Sequence, residues 1–320
     1  MKVSKKELNA ALKVLGKMVC AGSAVEIYRK VHFQDNGNGT IHASTGNGNE
    51  QVIVKIDAIT DVGEMVDYSV DYRELRERIR SARDIVEITD VTAETWPELE
   101  TIPLDAEICP LPENFTELLA MAITAVSKQD YRAVLKGVNL SKEGIVATDG
   151  KQLIHLFGSF NLNESITLPF PLAILSADLH GTGTLATWDK DGSRYFSIKY
   201  EGFIWQGKVL NGIYPCWQRV IPHDEPDYSI TFLNTDDIVS FLKAIPDVPP
   251  NNPIKLVIDG KQVTMTSPTN SNFKLLLNAE VNGKSEKAEV IINKHYLRHI
   301  MEHGYTTIST MQDGNEPLLC

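Results

Sequence analysis

At 320 residues and 42% hydrophobic content, the chain exceeds one ordinary domain and contains no apolar run long enough to span a bilayer. Its formal charge of −11, from 31 Lys and Arg against 42 Asp and Glu, argues against a uniformly basic nucleic-acid binder but leaves room for one basic surface. Four dispersed cysteines without a C-x-x-C exclude a disulfide framework or zinc knuckle, and the charged start MKVSKKELNA is no signal peptide, so a cytoplasmic setting is expected.

The first helix is expected over residues 5–19, after a short strand. Leu8, Leu12, Leu15 and Val19 share one face, and Lys6, Lys13 and Lys17 share the opposite one. Strands over 28–33, 40–44 and 51–56 follow, separated by the turn-rich DNGNG and GNGN. A second helix is expected over 70–83, where Leu75, Ile79 and Ala82 form the buried stripe. Arg73, Arg76, Arg80 and Arg83 gather on the other side, with Glu74 and Glu77 off the centre of that cluster. A basic face on one amphipathic helix reads most simply as solvated surface. Two such faces within the first hundred residues suit a surface that follows phosphates without reading bases.

Residues 90–105 read as a linker around Trp96-Pro97. A third helix, 113–127, carries the apolar stripe Phe115, Leu118, Leu119, Ala122 and Val126 and little charge. Next comes RAVLKGVNLSKEGIVATDGKQLIHLF, residues 132–157. Its alternation reads as a strand through Leu140, then strands 145–148 and 151–156 joined by Asp149-Gly150, a dipeptide that tolerates positive φ. A short helix at 171–179 and strands at 184–188, 195–200 and 202–210 lead to GIYPCWQRVIP, residues 212–222. The remainder reads as strand 229–233, a helix N-capped by Thr235, strands 255–258, 262–267, 274–281 and 288–292, a helix over 293–303, and strand candidates 306–311 and 317–320. A pattern of strand, helix, four strands, helix and strands thus recurs about every 100–120 residues, without visible identity between copies.

The residues 132–157 and 212–222 together, in this order, resemble the bacterial sliding clamp, the β subunit of DNA polymerase III. The matching residues are Arg132, Leu135, Gly137, Val146 to Gly150, Leu153, Gly212, Tyr214, Pro215, Trp217 and Arg219 to Pro222. The resemblance implies an α+β DNA clamp fold of three repeated domains, 1–101 (shortened), 102–222 and 223–320, each with two helices on the inner side of antiparallel sheets. It also implies a head-to-tail homodimer whose six domains ring duplex DNA. The inner wall would then carry Lys6, Lys13, Lys17, Arg73, Arg76, Arg80, Arg83, Lys294 and Arg298.

The family's polymerases and clamp loaders dock short linear peptides in a cleft. By motif, its lining here is Leu135, Thr148, Gly150, Lys151, Gln152, Leu153, Pro215, Arg219 and Val220. Three departures stand out. Lys151-Gln152 replaces the family's His-Arg, Ala133-Val134 replaces its DNA-touching aromatics, and the chain ends DGNEPLLC where the family continues through another strand.

No nucleotide-binding loop or hydrolase motif occurs, so no enzyme and no cofactor are expected. His295, His299 and His303 lack a carboxylate at metal-ligand spacing and read as a solvated helix face, so no metal is expected either; a metal-dependent enzyme built on that helix is the remote alternative. The nearer alternative is a clamp-fold scaffold or inhibitor of replication that lacks ring closure or the cleft.

Overall fold

The computed structural model describes residues 1–35, 40–60, 65–89, 96–284, 287–311 and 318–320. The DNGNG turn, the first part of the expected linker and residue 317 of the expected last strand fall partly or wholly outside these residues. The chain divides into two compact units, Met1–Tyr214 and Pro215–Cys320.

Among the described residues there are five α-helices: α1 (Lys5–Leu15), α2 (Tyr72–Ser81), α3 (Phe115–Ala122), α4 (Thr235–Ala244) and α5 (Lys294–Glu302). Four of them start the same way, with a capping side chain at or just beyond the end of a strand. Ser4 accepts a hydrogen bond from the Glu7 amide, Asp71 from Arg73, Asn234 from Asp237 and Asn293 from His295. Asn234 therefore takes the capping role expected of Thr235, which is already helical.

In the first unit an eight-stranded antiparallel sheet runs in the order Asp67–Asp71, Lys30–Asp35, Ile41–Gly46, Glu50–Ile56, Phe203–Lys208, Ser193–Tyr200, Thr184–Lys190 and Glu107–Pro110. Pro110 is confined to its edge strand, where a missing amide proton is tolerated. The central pairing of Glu50–Ile56 with Phe203–Lys208 joins the segments 1–101 and 102–222 into one sheet. Two smaller sheets complete the unit, one built on Lys2–Ser4 and one ordered Leu153–Phe157, Gly144–Thr148, Val138–Ser141, Ile166–Leu168. A single core takes Leu8, Leu12 and Leu15 from α1, Leu75 and Ile79 from α2, and Phe115 and Leu119 from α3.

In the second unit a three-stranded sheet (Ala279–Gly283, Tyr228–Phe232, Thr307–Thr310) and a four-stranded sheet (Asn270–Leu277, Gln262–Ser267, Pro253–Asp259, Ala288–Asn293) enclose a separate core. The expected strand 274–281 is in fact two strands in different sheets, broken where the Asn278 carbonyl accepts a hydrogen bond from the Leu233 amide. Leu319 makes an antiparallel bridge to Ser309 through two backbone bonds of 2.8 and 3.0 Å.

Three local readings need correction. Residues Ala133–Lys136 form a 3₁₀ turn, and the strand begins only at Val138. The Ser127 amide bonds the Leu135 carbonyl, and Gly137 lies so close to the Leu168 carbonyl that a Cβ would stand 2.2 Å from it. The expected hairpin turn is a four-residue loop: strands end at Thr148 and resume at Leu153, so Lys151 and Gln152 lie in the loop. The helix expected over 171–179 is reduced to a 3₁₀ turn, Ile174–Ser176.

Candidate nucleic-acid interface and peptide cleft

The basic residues of α1 and α2 come together because the helices touch. Gly16 caps α1, and the Tyr72 hydroxyl at the start of α2 donates to the Leu12 carbonyl at 3.4 Å. A Cβ at Gly16 would stand 2.1 Å from that hydroxyl and 2.8 Å from the Leu12 oxygen. Gly16→Val is therefore expected to cost about 1–3 kcal/mol by overpacking. Tyr72→Phe in the same chain should return part of that cost, as read by chemical denaturation.

Lys6, Lys13, Lys17, Arg73, Arg76, Arg80 and Arg83 are all exposed. Arg76 donates to the Tyr72 hydroxyl at 3.3 Å and sits over its ring, and Arg73 donates to the Ala21 carbonyl at 3.2 Å. Glu74 pairs with Arg78, one turn along, so the acid on this helix engages an arginine outside the predicted set. The result is a cationic surface on two adjoining helices, with side chains long enough to reach phosphate oxygens.

The second unit differs. Lys294 was expected on the same basic wall, yet it is only 6% exposed. Its ammonium group bonds the Ile245 carbonyl and Asp247, each at 2.5 Å. Those bonds hold the Asp247 carboxyl below its usual range and leave Lys294 no reach toward a ligand. Arg298 is half-buried, and its guanidinium lies 3.6 Å from Glu302, which Lys243 also engages at 3.1 Å. Lys294→Ala should cost about 1–3 kcal/mol by leaving the Ile245 carbonyl without its partner. DNA retention should be unchanged, and denaturation beside a DNA-binding assay separates the two roles.

The hairpin expected to rim a peptide cleft is built on internal bonds. Asp149 accepts from the Lys151 and Gln152 amides, both at 2.9 Å, and Gly150 adopts φ +87. The Thr148 hydroxyl donates to the Gln152 carbonyl at 2.6 Å, and Gln152 donates to the Thr124 carbonyl at 3.2 Å. Gly150 and Lys151 are exposed, Gln152 and Leu153 half-buried, Thr148 and Leu135 buried. Leu135 and Thr148 thus lie beneath this surface instead of on it. Pro215, Arg219 and Val220 belong to the second unit, where Pro215 is half-buried and the other two are exposed.

Two supports were not anticipated. Arg132 chelates Asp130 through its Nε and Nη2, at 3.1 and 2.9 Å, and this holds the Asp130 carboxyl down to about 2. Tyr214 points its hydroxyl at the Val146 carbonyl, 3.4 Å away, and burial pushes its phenol up. Among the described residues no group of three or more His, Cys, Asp or Glu side chains could hold a metal, and no helix is long and apolar enough to cross a membrane.

No protein-family profile matches the chain. A beta sliding clamp from Proteus mirabilis is 24% identical over 250 residues, covering 76% of this chain and 64% of that relative, just under two thirds of its length. The DNA polymerase III subunit beta from Pseudomonas aeruginosa superposes with a TM-score of 0.80 at 16% identity, over 100% of this chain and 94% of that one. The Helicobacter pylori beta clamp, solved with a DNA ligase peptide, gives a TM-score of 0.77 at 16% identity, over 100% of this chain and 96% of that one. The chain thus has the fold of these DNA polymerase III beta subunits along its whole length and is similar in sequence, over 76% of its residues, to a beta sliding clamp.

Proposed function

We propose that the chain is a non-enzymatic sliding clamp, a homodimeric ring that holds a replicative polymerase on duplex DNA. The observation that carries this reading is the exposed cationic surface of α1 and α2, set side by side by the Gly16–Tyr72 contact in a clamp fold. Six-fold repetition of one motif, from segments 1–101, 102–222 and 223–320 in two copies, would close the ring. Diffuse contacts between flexible side chains and phosphates give weak, salt-sensitive attraction, which permits sliding, while enclosure prevents escape. The rim of the hairpin at Gly150 and Lys151, both exposed, with half-buried Gln152 and Leu153, is the proposed dock for short linear peptides of polymerase and loader subunits.

Threading tests this without a loader. A linear duplex is tethered at one end, incubated with protein, then capped at the free end or left open, and washed at about 1 M salt, where screening cuts charge attraction to about 3 Å. A ring stays only on capped duplex. Equal loss from capped and open duplex would overturn enclosure.

A further inference from the structure

The small sheet built on Lys2–Ser4 runs in the order Ala58–Ile59, Lys2–Ser4, Ile85–Glu87, so Ile85–Glu87 is an edge strand. Backbone bonds fix which of its groups face outward. The Lys5 amide donates to the Asp84 carbonyl at 2.7 Å and the Ile88 amide to the Met1 carbonyl at 3.0 Å. Between these two points Ser4 pairs with Ile85, Val3 with Val86 and Lys2 with Glu87. Bonded and non-bonded positions alternate along an antiparallel pair. Asp84, Val86 and Ile88 therefore turn their amides and carbonyls toward Lys2–Ser4, and Ile85, Glu87 and Thr89 turn theirs to the other side.

Such a row of outward backbone groups is a template for another strand, the more so beside an apolar side chain. Ile85 supplies one, 56% exposed. The carbonyls of Glu87 and Thr89, however, are already taken. From α2, Arg78 donates through Nη1 to the Glu87 carbonyl at 3.3 Å and through Nη2 to the Thr89 carbonyl at 3.0 Å. Glu74, one helical turn earlier, holds the guanidinium in place, accepting from Nε at 3.1 Å and from Nη2 at 2.5 Å. The planar fork of an arginine can serve a carboxylate and two carbonyls at once, which a lysine cannot. Among the described residues no strand pairs with this side of Ile85–Glu87. A strand arriving there would have to displace Arg78 first.

We infer that Arg78 guards this edge: clipped to Glu74, it occupies the outward carbonyls of Glu87 and Thr89 and keeps a second copy of the chain from adding its own strand. A second copy is the natural intruder, because an edge strand turned antiparallel against itself is self-complementary about a two-fold axis. The inference stands without the sliding-clamp reading. It bears on that reading by exclusion, since wild-type copies would then join at another surface.

The test is the mass of the full-length chain in solution, by light scattering over a wide range of concentration. Each variant is compared with wild type, so the result does not depend on whether wild type is one chain or two. Arg78→Ala should keep its helical circular dichroism, alanine being the best helix former. Its mass should climb with concentration to about twice that of wild type, as two-fold pairing requires. Adding Glu87→Pro should return it to the wild-type mass. Proline removes the outward amide at this position and sacrifices no bond to Lys2–Ser4, as an edge strand allows. Glu87→Pro alone should match wild type. An Arg78→Ala chain of wild-type mass at every concentration would overturn the inference. So would a raised mass that survives the proline, or a wild-type assembly that the proline alone dissociates.

Discussion

Replacing Trp205 by alanine is expected to destabilise the first unit by about 3–5 kcal/mol, a large share of the roughly 5–15 kcal/mol that holds a typical domain folded. Trp205 is 1% exposed and lies on the strand that pairs with Glu50–Ile56, the seam between the two halves of the eight-stranded sheet. Its ring meets Phe196 edge-on, with centroids 4.8 Å apart, and its indole NH donates to Glu50 at 2.9 Å. Alanine leaves a cavity in the seam and removes a donor from a carboxylate that has few others. Burial raises the Glu50 carboxyl above its usual 4.5, and the bonds from Trp205 and Asn47 pull it partly back.

The sign for pH follows from that balance. A carboxyl raised by folding favours the folded state fully below about pH 4.5, and this contribution is lost as pH rises through the folded value. Trp205→Phe keeps the ring but not the bond, so it should raise Glu50 further and extend that loss to higher pH. Glu50→Gln, which has no charge to bury, should remove this pH dependence. Urea denaturation at several pH values from 4 to 8 reads all three variants; an unchanged midpoint for Trp205→Ala would show that the seam is not what holds the halves together.

Reversing four charges on the cationic helices should abolish DNA retention without unfolding the protein. Lys13, Lys17, Arg80 and Arg83 are exposed, and none anchors the α1–α2 contact. Changing all four to glutamate should lower the log–log salt slope by about 3–4 units, since each phosphate contact contributes about 0.9. Circular dichroism and solution mass should match wild type. A variant that still binds duplex with an unchanged slope would move the phosphate-binding surface elsewhere on the chain.

Much of the fold was legible in the residues because it depends on local pattern. The amphipathic stripes of α1, α2 and α3 and the alternation in most strands follow directly from periodicity. Errors arose where tertiary contacts override it. Residues 133–136 alternate like a strand but fold as a 3₁₀ turn because Leu135 is pinned through its carbonyl to Ser127 and Gly137 is pressed against Leu168. The short strands Ala58–Ile59, Ile85–Glu87 and Glu107–Pro110 carry too few residues for a periodic signal and exist through pairing with distant partners.

The cationic stripe on α1 and α2 was readable from helical spacing, since exposed arginines and lysines need no partner to be placed. Lys294 was misplaced for the complementary reason. Its position at the first turn of α5 and its charge are both visible, but the acceptor that buries it, the Ile245 carbonyl, is 49 residues away in sequence. The Gly16–Tyr72 approach was hidden likewise, although a glycine near the end of an apolar stripe is itself a signal that the helix stops there. It does stop: α1 ends at Leu15, four residues short of the expected limit.

Enclosure of DNA requires that two copies of the chain associate and stay associated when diluted, because a ring that opens on dilution cannot hold a polymerase in place. Light scattering coupled to size exclusion, over at least a hundredfold range of protein concentration, measures this without DNA or partners. A dimer mass throughout is the predicted result. A monomer mass at every concentration would leave the fold as it stands and contradict the ring.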